Sequence, residues 1–190
     1  MRGSTLHFAD AQRLTRPTAF TTMIKPVGSL CNLDCDYCYY LGKADLYGGH
    51  QPKMSDELLE RYISQYIEAV QVPTVTFCWH GGEPTTAGID YFERAFALQK
   101  KHSHGKKIIN TFQTNGTLID RNWCRLFKEN DILVGLSIDG PAHIHDAHRK
   151  WHKSSADAAL KAATLFNETG VEFNTLTTIN NLSKGKGKEI

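Results

Sequence analysis

Residues 74–117 read TVTFCWHGGEPTTAGIDYFERAFALQKKHSHGKKIINTFQTNGT. The run Thr74–Trp79 alternates β-branched and aromatic residues and predicts a strand. Asp90–His102 predicts a helix with Phe92, Ala95 and Phe96 on its inner stripe. Lys107–Gln113 predicts a second strand. A strand, a helix and a strand of these lengths make a right-handed βαβ unit, and that unit requires parallel strands.

Working outward, the same alternation continues on both sides. Upstream, Phe20–Val27 predicts a strand and Ser55–Val70 a helix. Ser55 is placed to cap that helix, and Asp56 and Glu57 favour its positive end. Leu58, Leu59, Tyr62, Ile63, Tyr66, Ile67 and Val70 fall at helical spacing on one face. Downstream, Asp120 caps a helix that carries Trp123, Leu126 and Phe127 and ends near Asn130. Ile132–Ile138 predicts a strand, Ser155–Glu168 a helix stopped by Gly170, and Val171–Ile179 a fifth strand. The fold class is α/β with a parallel sheet. A doubly wound open sheet and a barrel-like (β/α) sheet both fit. A full eight-stranded barrel takes about 250 residues, more than the 190 present. The expectation is one domain over residues 1–190, with residues 1–19 as an N-terminal extension and a barrel left incomplete after its fifth strand. Lys184–Lys188 reads as a solvated loop.

Composition narrows the function classes. The chain is 41% hydrophobic, enough for a core, and its formal charge of +2 gives no reason to expect nucleic acid or a membrane surface as partner. No apolar stretch approaches a membrane span, and no apolar run follows the N-terminal arginines as it would in a secretory signal, so the expected compartment is the cytoplasm. Three of the five cysteines cluster at Cys31, Cys35 and Cys38. In a reducing compartment such clustering points to metal or redox chemistry rather than to disulfides.

The residues that look chemical follow the strands. After the first comes Cys31-Asn-Leu-Asp-Cys35-Asp-Tyr-Cys38, after the second His80-Gly81-Gly82-Glu83-Pro84, at the end of the third Gln113-Thr114-Asn115-Gly116-Thr117, and at the end of the fourth Ser137-Ile138-Asp139-Gly140-Pro141. In a parallel α/β sheet these loops meet at the carboxyl edge, where ligands bind. The spacing C-x3-C-x2-C delivers three thiolates, and a cubane iron–sulfur cluster wants one outside ligand on each of its irons. With no fourth cysteine nearby, one iron stays open to a cosubstrate. A zinc site completed by a His or another Cys is the alternative.

Gly81 and Gly82 permit close backbone approach to a ligand, and the carboxylate and carbonyls of this loop suit an ammonium group; a plain turn needing glycine for geometry is the other reading. Tyr37 suits packing on a purine, with ordinary side-chain packing as the other and commoner reading; Ser137 suits a bond to a ribose and Arg149 a pair with a carboxylate. Cys78 and Cys124 read as small core residues. His143, His145, His148 and His152 read as solvated or hydrogen-bonded histidines rather than a metal cluster.

The motif Cys31-x3-Cys35-x2-Cys38 with Tyr37 before its last cysteine resembles the radical S-adenosylmethionine (SAM) signature. The runs IKPVGSLCNLDCDYCYY, WHGGEPTTAG, FQTNGTLID, LVGLSIDGP, IHDAHRK and VEFNTLTTIN are similar to the anaerobic sulfatase-maturating enzymes, a subgroup of those with Cys-rich (SPASM) C-terminal domains. The resemblance implies a partial (β/α)6 barrel whose [4Fe–4S] cluster sits on Cys31, Cys35 and Cys38. It implies SAM contacts at Tyr37, Gly82, Ser137 and Arg149, and an active site lined by Gln113 and Tyr40. The implied reaction oxidises a Cys or Ser of a sulfatase polypeptide to Cα-formylglycine, with a flavodoxin- or ferredoxin-like reductant. The acidic base and two auxiliary clusters of that family have no counterpart in these residues, so no catalytic base is assigned and the fragment alone is not expected to be fully active. Another SPASM-type peptide-modifying enzyme and a non-catalytic Fe–S or zinc module are the competing readings. A nucleotide-binding dehydrogenase matches only the βαβ pattern, because no G-x-G-x-x-G follows the first strand.

Overall fold

The computed structural model describes residues 19–47 and 53–190. Most of the expected extension at residues 1–19 lies outside them. Five strands form one parallel sheet: β1 (Thr22–Ile24), β3 (Thr74–Trp79), β4 (Lys107–Thr114), β5 (Leu133–Ser137) and β7 (Phe173–Leu176), side by side in that order. A second, two-stranded antiparallel ribbon pairs β2 (Asp34–Cys35) with β6 (Arg149–Lys150). The helices are α1 (Asp56–Ala69), α2 (Ile89–His102), α3 (Arg121–Glu129), α4 (Ala142–His148) and α5 (Ser155–Thr169).

Strand order in the main sheet follows chain order without reversal. Right-handed crossovers of one sense then place α1, α2, α3 and α5 on one face. A doubly wound sheet reverses direction midway and has helices on both faces. The structure therefore takes the barrel-like alternative: an α/β partial barrel with an outer helical layer and an open inner face.

The elements form where local chemistry asks for them. The Ser55 side chain accepts from Leu58 N at 3.2 Å, and Asp120 accepts from Asn122 N and Trp123 N at 2.9 and 3.0 Å. Each carboxylate or hydroxyl satisfies amides that the helix itself leaves free. Helix α5 is capped by Ser154, and Gly170 closes it in the left-handed conformation at φ 70°. The N-terminal strand is shorter than its sequence suggests, because residues 25–29 turn away from the sheet to begin the cysteine loop.

The core lies between sheet and helices. Val75, Phe77 and Trp79 face α1 and α2 and are fully buried. Trp79, Phe92 and Phe112 meet edge to face at centroid separations of 5.3 and 4.9 Å, and Phe127 joins at 4.9 Å from Phe112. Such pairs add about 0.5–1.5 kcal/mol each beyond the area they bury. An amide network lies within this layer, whereas the buried Tyr91 hydroxyl has no partner among the described residues. Trp79 Nε1 donates to Asn110 Oδ1 at 2.8 Å, and Asn110 and Gln99 exchange two amide hydrogen bonds of 2.9 Å.

Two expectations about packing change. Leu58 is 48% exposed, since the buried stripe of α1 is carried by Leu59, Ile63, Tyr66 and Ile67. Cys78 is not a core residue. Period-two alternation sends it to the inner face of the sheet, opposite Phe77 and Trp79, where it is half-buried. Cys124 is fully buried in the helical layer.

Candidate active site at the carboxyl edge

The carboxyl ends of the parallel strands open onto a cavity of about 370 Å3. Cys31, Cys35 and Cys38 line it from one side. Tyr37, Tyr40, Gly82, Gln113, Ser137 and Arg149 complete its wall, so every candidate residue named from the sequence meets in one place. They arrive on separate elements. The cysteine loop follows β1, Gly82 follows β3, Gln113 and Ser137 stand on the inner face at the ends of β4 and β5, and Arg149 comes from β6.

The ribbon explains how Arg149, remote in sequence, reaches the cysteines. Cys35 is the register partner of Arg149 and Asp34 of Lys150. Asp36 N donates to His148 O at 3.0 Å, and Lys150 Nζ pairs with Asp36 Oδ1 at 2.6 Å. This pairing was not anticipated, because two-residue strands carry no periodicity to read.

The glycines serve a close approach, though to protein backbone. A Cβ on Gly82 would stand 2.0 Å from Leu30 O, within the cysteine loop. Gly82 N donates to Gly28 O at 2.9 Å and Glu83 N to Leu30 O at 2.8 Å. The β3 corner thus clamps the cysteine loop. The Glu83 carboxylate, which looked available for a ligand's ammonium group, is instead buried and engaged. It accepts from Thr85 N, Thr85 Oγ1, Thr114 Oγ1 and Asn115 N at 3.0, 2.6, 2.8 and 2.8 Å. Burial pushes its carboxyl above the ordinary value, and those four donors pull the other way.

The thiols themselves suit a polynuclear cluster. Burial pushes Cys31 up to about 11 and Cys35 up to about 12, and Glu83 and the Cys38 thiol add to the shift at Cys31. Such sulfurs are poor thiolates alone and become good ones only when iron supplies the compensating positive charge. Donors already point at one of them: Leu33 N lies 3.4 Å and Asn115 Nδ2 3.8 Å from Cys31 Sγ. Among the described residues no three His, Cys, Asp or Glu side chains converge on a position for one metal ion. Three thiols on one short loop suit three corners of a cubane, whereas a structural zinc site takes a fourth ligand to close its tetrahedron. The Tyr40 hydroxyl is buried in the same cavity without a hydrogen-bond partner among the described residues, an orphan that a ligand would satisfy.

The fourth corner holds a residue that sequence reading quoted but gave no role. Asp139, fully buried, accepts from Arg149 Nε at 2.7 Å and Arg149 Nη2 at 3.1 Å. It also accepts from the Tyr37 hydroxyl and, at 2.8 Å, from Thr178 N. Despite burial, the guanidinium and the other donors hold its carboxyl below the usual range. Asp139 lies two residues beyond the end of β5, in the same Ser137–Pro141 run that carries Ser137 to the sheet edge. His80 belongs to the same wall. It lines the cavity beside Tyr40, and its Nδ1 accepts from Gly81 N at 2.7 Å, which leaves the ring proton on Nε2. Burial lowers its basicity.

The downstream histidines do not gather. His145 is buried and accepts from Asp139 N at 3.1 Å through Nδ1, whereas His143 and His152 are exposed. They lie on and just beyond α4, a helix of seven residues, too short to show a readable periodicity.

The profile of the Radical SAM superfamily matches residues 26–187, and the chain belongs to that superfamily. Within it, the chain is 47% identical to the serine-type anaerobic sulfatase-maturating enzyme of Bacteroides thetaiotaomicron, over 85% of this chain and 40% of the relative. It is 41% identical to the cysteine-type anaerobic sulfatase-maturating enzyme of Clostridium perfringens, over 83% of this chain and 43% of the relative. The solved structure of native anSMEcpe with bound AdoMet and Kp18Cys peptide superposes with a TM-score of 0.83 at 38% identity, over 90% of this chain and 46% of that one. The chain thus spans less than half the length of these relatives.

Proposed function

We propose that residues 1–190 form the cluster- and SAM-binding core of a radical SAM enzyme that oxidises a Cys or Ser of a sulfatase polypeptide to Cα-formylglycine. One observation carries this reading: Cys31, Cys35, Cys38, Tyr37, Gly82, Ser137 and Arg149 line a single cavity at the carboxyl edge of a parallel sheet. The likeness to serine- and cysteine-type maturases, and to a structure with bound AdoMet and a peptide, supports it.

In this reading Cys31, Cys35 and Cys38 would hold a [4Fe–4S] cluster, and the rest of the cavity wall would receive SAM. The chemistry such a cluster would supply there is one-electron reduction of SAM, the source of the radical oxidation of the substrate side chain. The residues do the positioning. The Tyr37 ring and the Arg149 guanidinium make one wall, with the guanidinium carbon 5.6 Å from the ring centroid. Ser137 Oγ accepts from Gln113 Nε2 at 3.1 Å, so a hydroxyl and an amide stand side by side on the inner face for ribose or substrate. Tyr40 and His80 stand together in the same wall, ring centroids 6.4 Å apart, and the lining is mainly apolar. A flavodoxin- or ferredoxin-like protein is the proposed reductant. Five free thiols fit a reducing, cytoplasmic setting, and among the described residues no helix is long and apolar enough to cross a membrane.

Anaerobic reconstitution with iron and sulfide, reduction, and EPR with and without SAM test the core of this reading. A [4Fe–4S]+ signal that changes on adding SAM supports it. Zinc at one per chain without labile sulfide would replace it with a bare metal module. Incubating the complete protein with peptides bearing C-x-P-x-R or S-x-P-x-R then tests the substrate. Loss of mass at Cys or Ser is the expected result, and a thioether or carbon–carbon crosslink in a peptide would reassign the enzyme to another SPASM-type branch.

A further inference from the structure

The buried carboxylate at the end of β5 joins three pieces of the cavity wall that are distant in sequence. Asp139 Oδ2 accepts from Arg149 Nε and from the Tyr37 hydroxyl, and Oδ1 accepts from Arg149 Nη2 and Thr178 N. Its own backbone N–H is held by His145 Nδ1 on α4. Asp139 has no exposed surface, and its partner Arg149 is nearly as buried. All its acceptor sites face protein donors, so it does not bind ligand itself.

The geometry of the pair matters more than its charge. Guanidinium is planar, and a side-on contact through Nε and one Nη fixes that plane against the carboxylate. The donors on Nη1 are then aimed in one direction, and Arg149 lines the cavity. Tyr37 is set by the same oxygen: with its hydroxyl tied to Asp139, the ring stands against the guanidinium and beside Cys38. The β2–β6 ribbon fixes only the backbones of Cys35 and Arg149. Nothing in that pairing orients either side chain.

We propose that Asp139 is a positioning residue of the SAM site, which holds the Arg149 guanidinium and the Tyr37 ring in the orientation that receives the cosubstrate. This rests on the SAM-binding reading above. Asp139→Asn keeps the shape but sets an amide N–H2 or a weaker neutral oxygen against the arginine, so the plane of Arg149 is released. Tyr37→Phe removes only the phenol tether and leaves the ring.

The test compares wild type, D139N and Y37F after anaerobic reconstitution. Iron and sulfide content and circular dichroism report the cluster and the fold, and titration of the reduced cluster's EPR signal with SAM reports affinity. D139N is expected to keep its cluster and to bind SAM about tenfold more weakly or worse, and Y37F about threefold more weakly. A merely structural role would lower thermal stability or iron content and leave the SAM titration of the folded fraction at the wild-type midpoint, and that result would overturn the proposal. If D139N does not fold, Y37F decides: a wild-type midpoint counts against the proposal and a weakened one for it. A wild-type protein whose cluster ignores SAM would instead bring down the underlying reading, and the inference with it.

Discussion

Two buried carboxylates stand at the same sheet edge, on corners separated by the end of β4, and they are held in opposite ways. Glu83, after β3, is 1% exposed and accepts four hydrogen bonds from neutral donors only. Asp139, after β5, is equally buried and accepts four, two of them from a guanidinium. The Glu83 carboxyl is raised from its ordinary value and that of Asp139 is lowered. Hydrogen-bond number alone does not separate them: Glu83 lies deeper below the surface, where desolvation outweighs its donors, and Asp139 has a guanidinium at 2.7 Å to offset its own. The Glu83 corner is a clamp of backbone on backbone. The Asp139 corner is an electrostatic knot among side chains.

Breaking the knot should have the largest effect. Asp139→Ala strands Arg149 in a buried position, and urea unfolding should show a loss of about 3–5 kcal/mol. A loss below about 1 kcal/mol would mean that the guanidinium finds water easily. Breaking the clamp comes next. Gly82→Ala drives a Cβ into the Leu30 carbonyl, and overpacking of this kind should cost about 3 kcal/mol and lower iron uptake by the adjacent cysteine loop. Unchanged stability and uptake would show that the corner can open.

Glu83→Gln should cost about 2 kcal/mol, because one amide N–H2 must face a backbone or hydroxyl donor. Its pH response sharpens the comparison. The depressed Asp139 contributes stability that is present above its unfolded value of 3.8 and lost as pH falls through its folded value. The raised Glu83 has the opposite sign: ionising it in the fold costs stability as pH rises past its unfolded value of 4.5. Between about pH 6 and about pH 3, Glu83→Gln should therefore lose stability on acidification more steeply than wild type, and Asp139→Asn less steeply. Equal slopes in both variants would remove the contrast. The smallest effect belongs to a site outside both corners. Leu58→Ser, on the exposed side of α1, should shift stability by no more than about 0.5 kcal/mol in the same unfolding experiment.

Much of this was legible in sequence. Ser55, Asp120 and Gly170 cap or stop their helices where their local chemistry predicts, because capping is settled within a few residues. The candidate residues Cys31, Cys35, Cys38, Gly82, Gln113 and Ser137 reach one cavity, because strand-end loops in a parallel sheet have only one edge on which to meet. What failed to show were facts of placement. Cys78 was assigned to the core because its neighbours are apolar, yet alternation gives it the other face. Glu83 offered a carboxylate without revealing that Thr85, Thr114 and Asn115 would consume it.

The sequence by itself determined the alternation of strand and helix, the caps, and the thiol spacing, all of which depend on contacts along a few neighbouring residues. Only the tertiary structure decided between a doubly wound sheet and a partial barrel, since strand order is a long-range property that no local pattern encodes. It alone decided that Arg149 would pair with Cys35 through a two-residue ribbon, and that Asp139 would gather Arg149, Tyr37 and Thr178 around one carboxylate. Burial supplies the reason. Once water is excluded, a charged group must take whichever partners the packed chain brings within reach, and those partners lie far away in sequence.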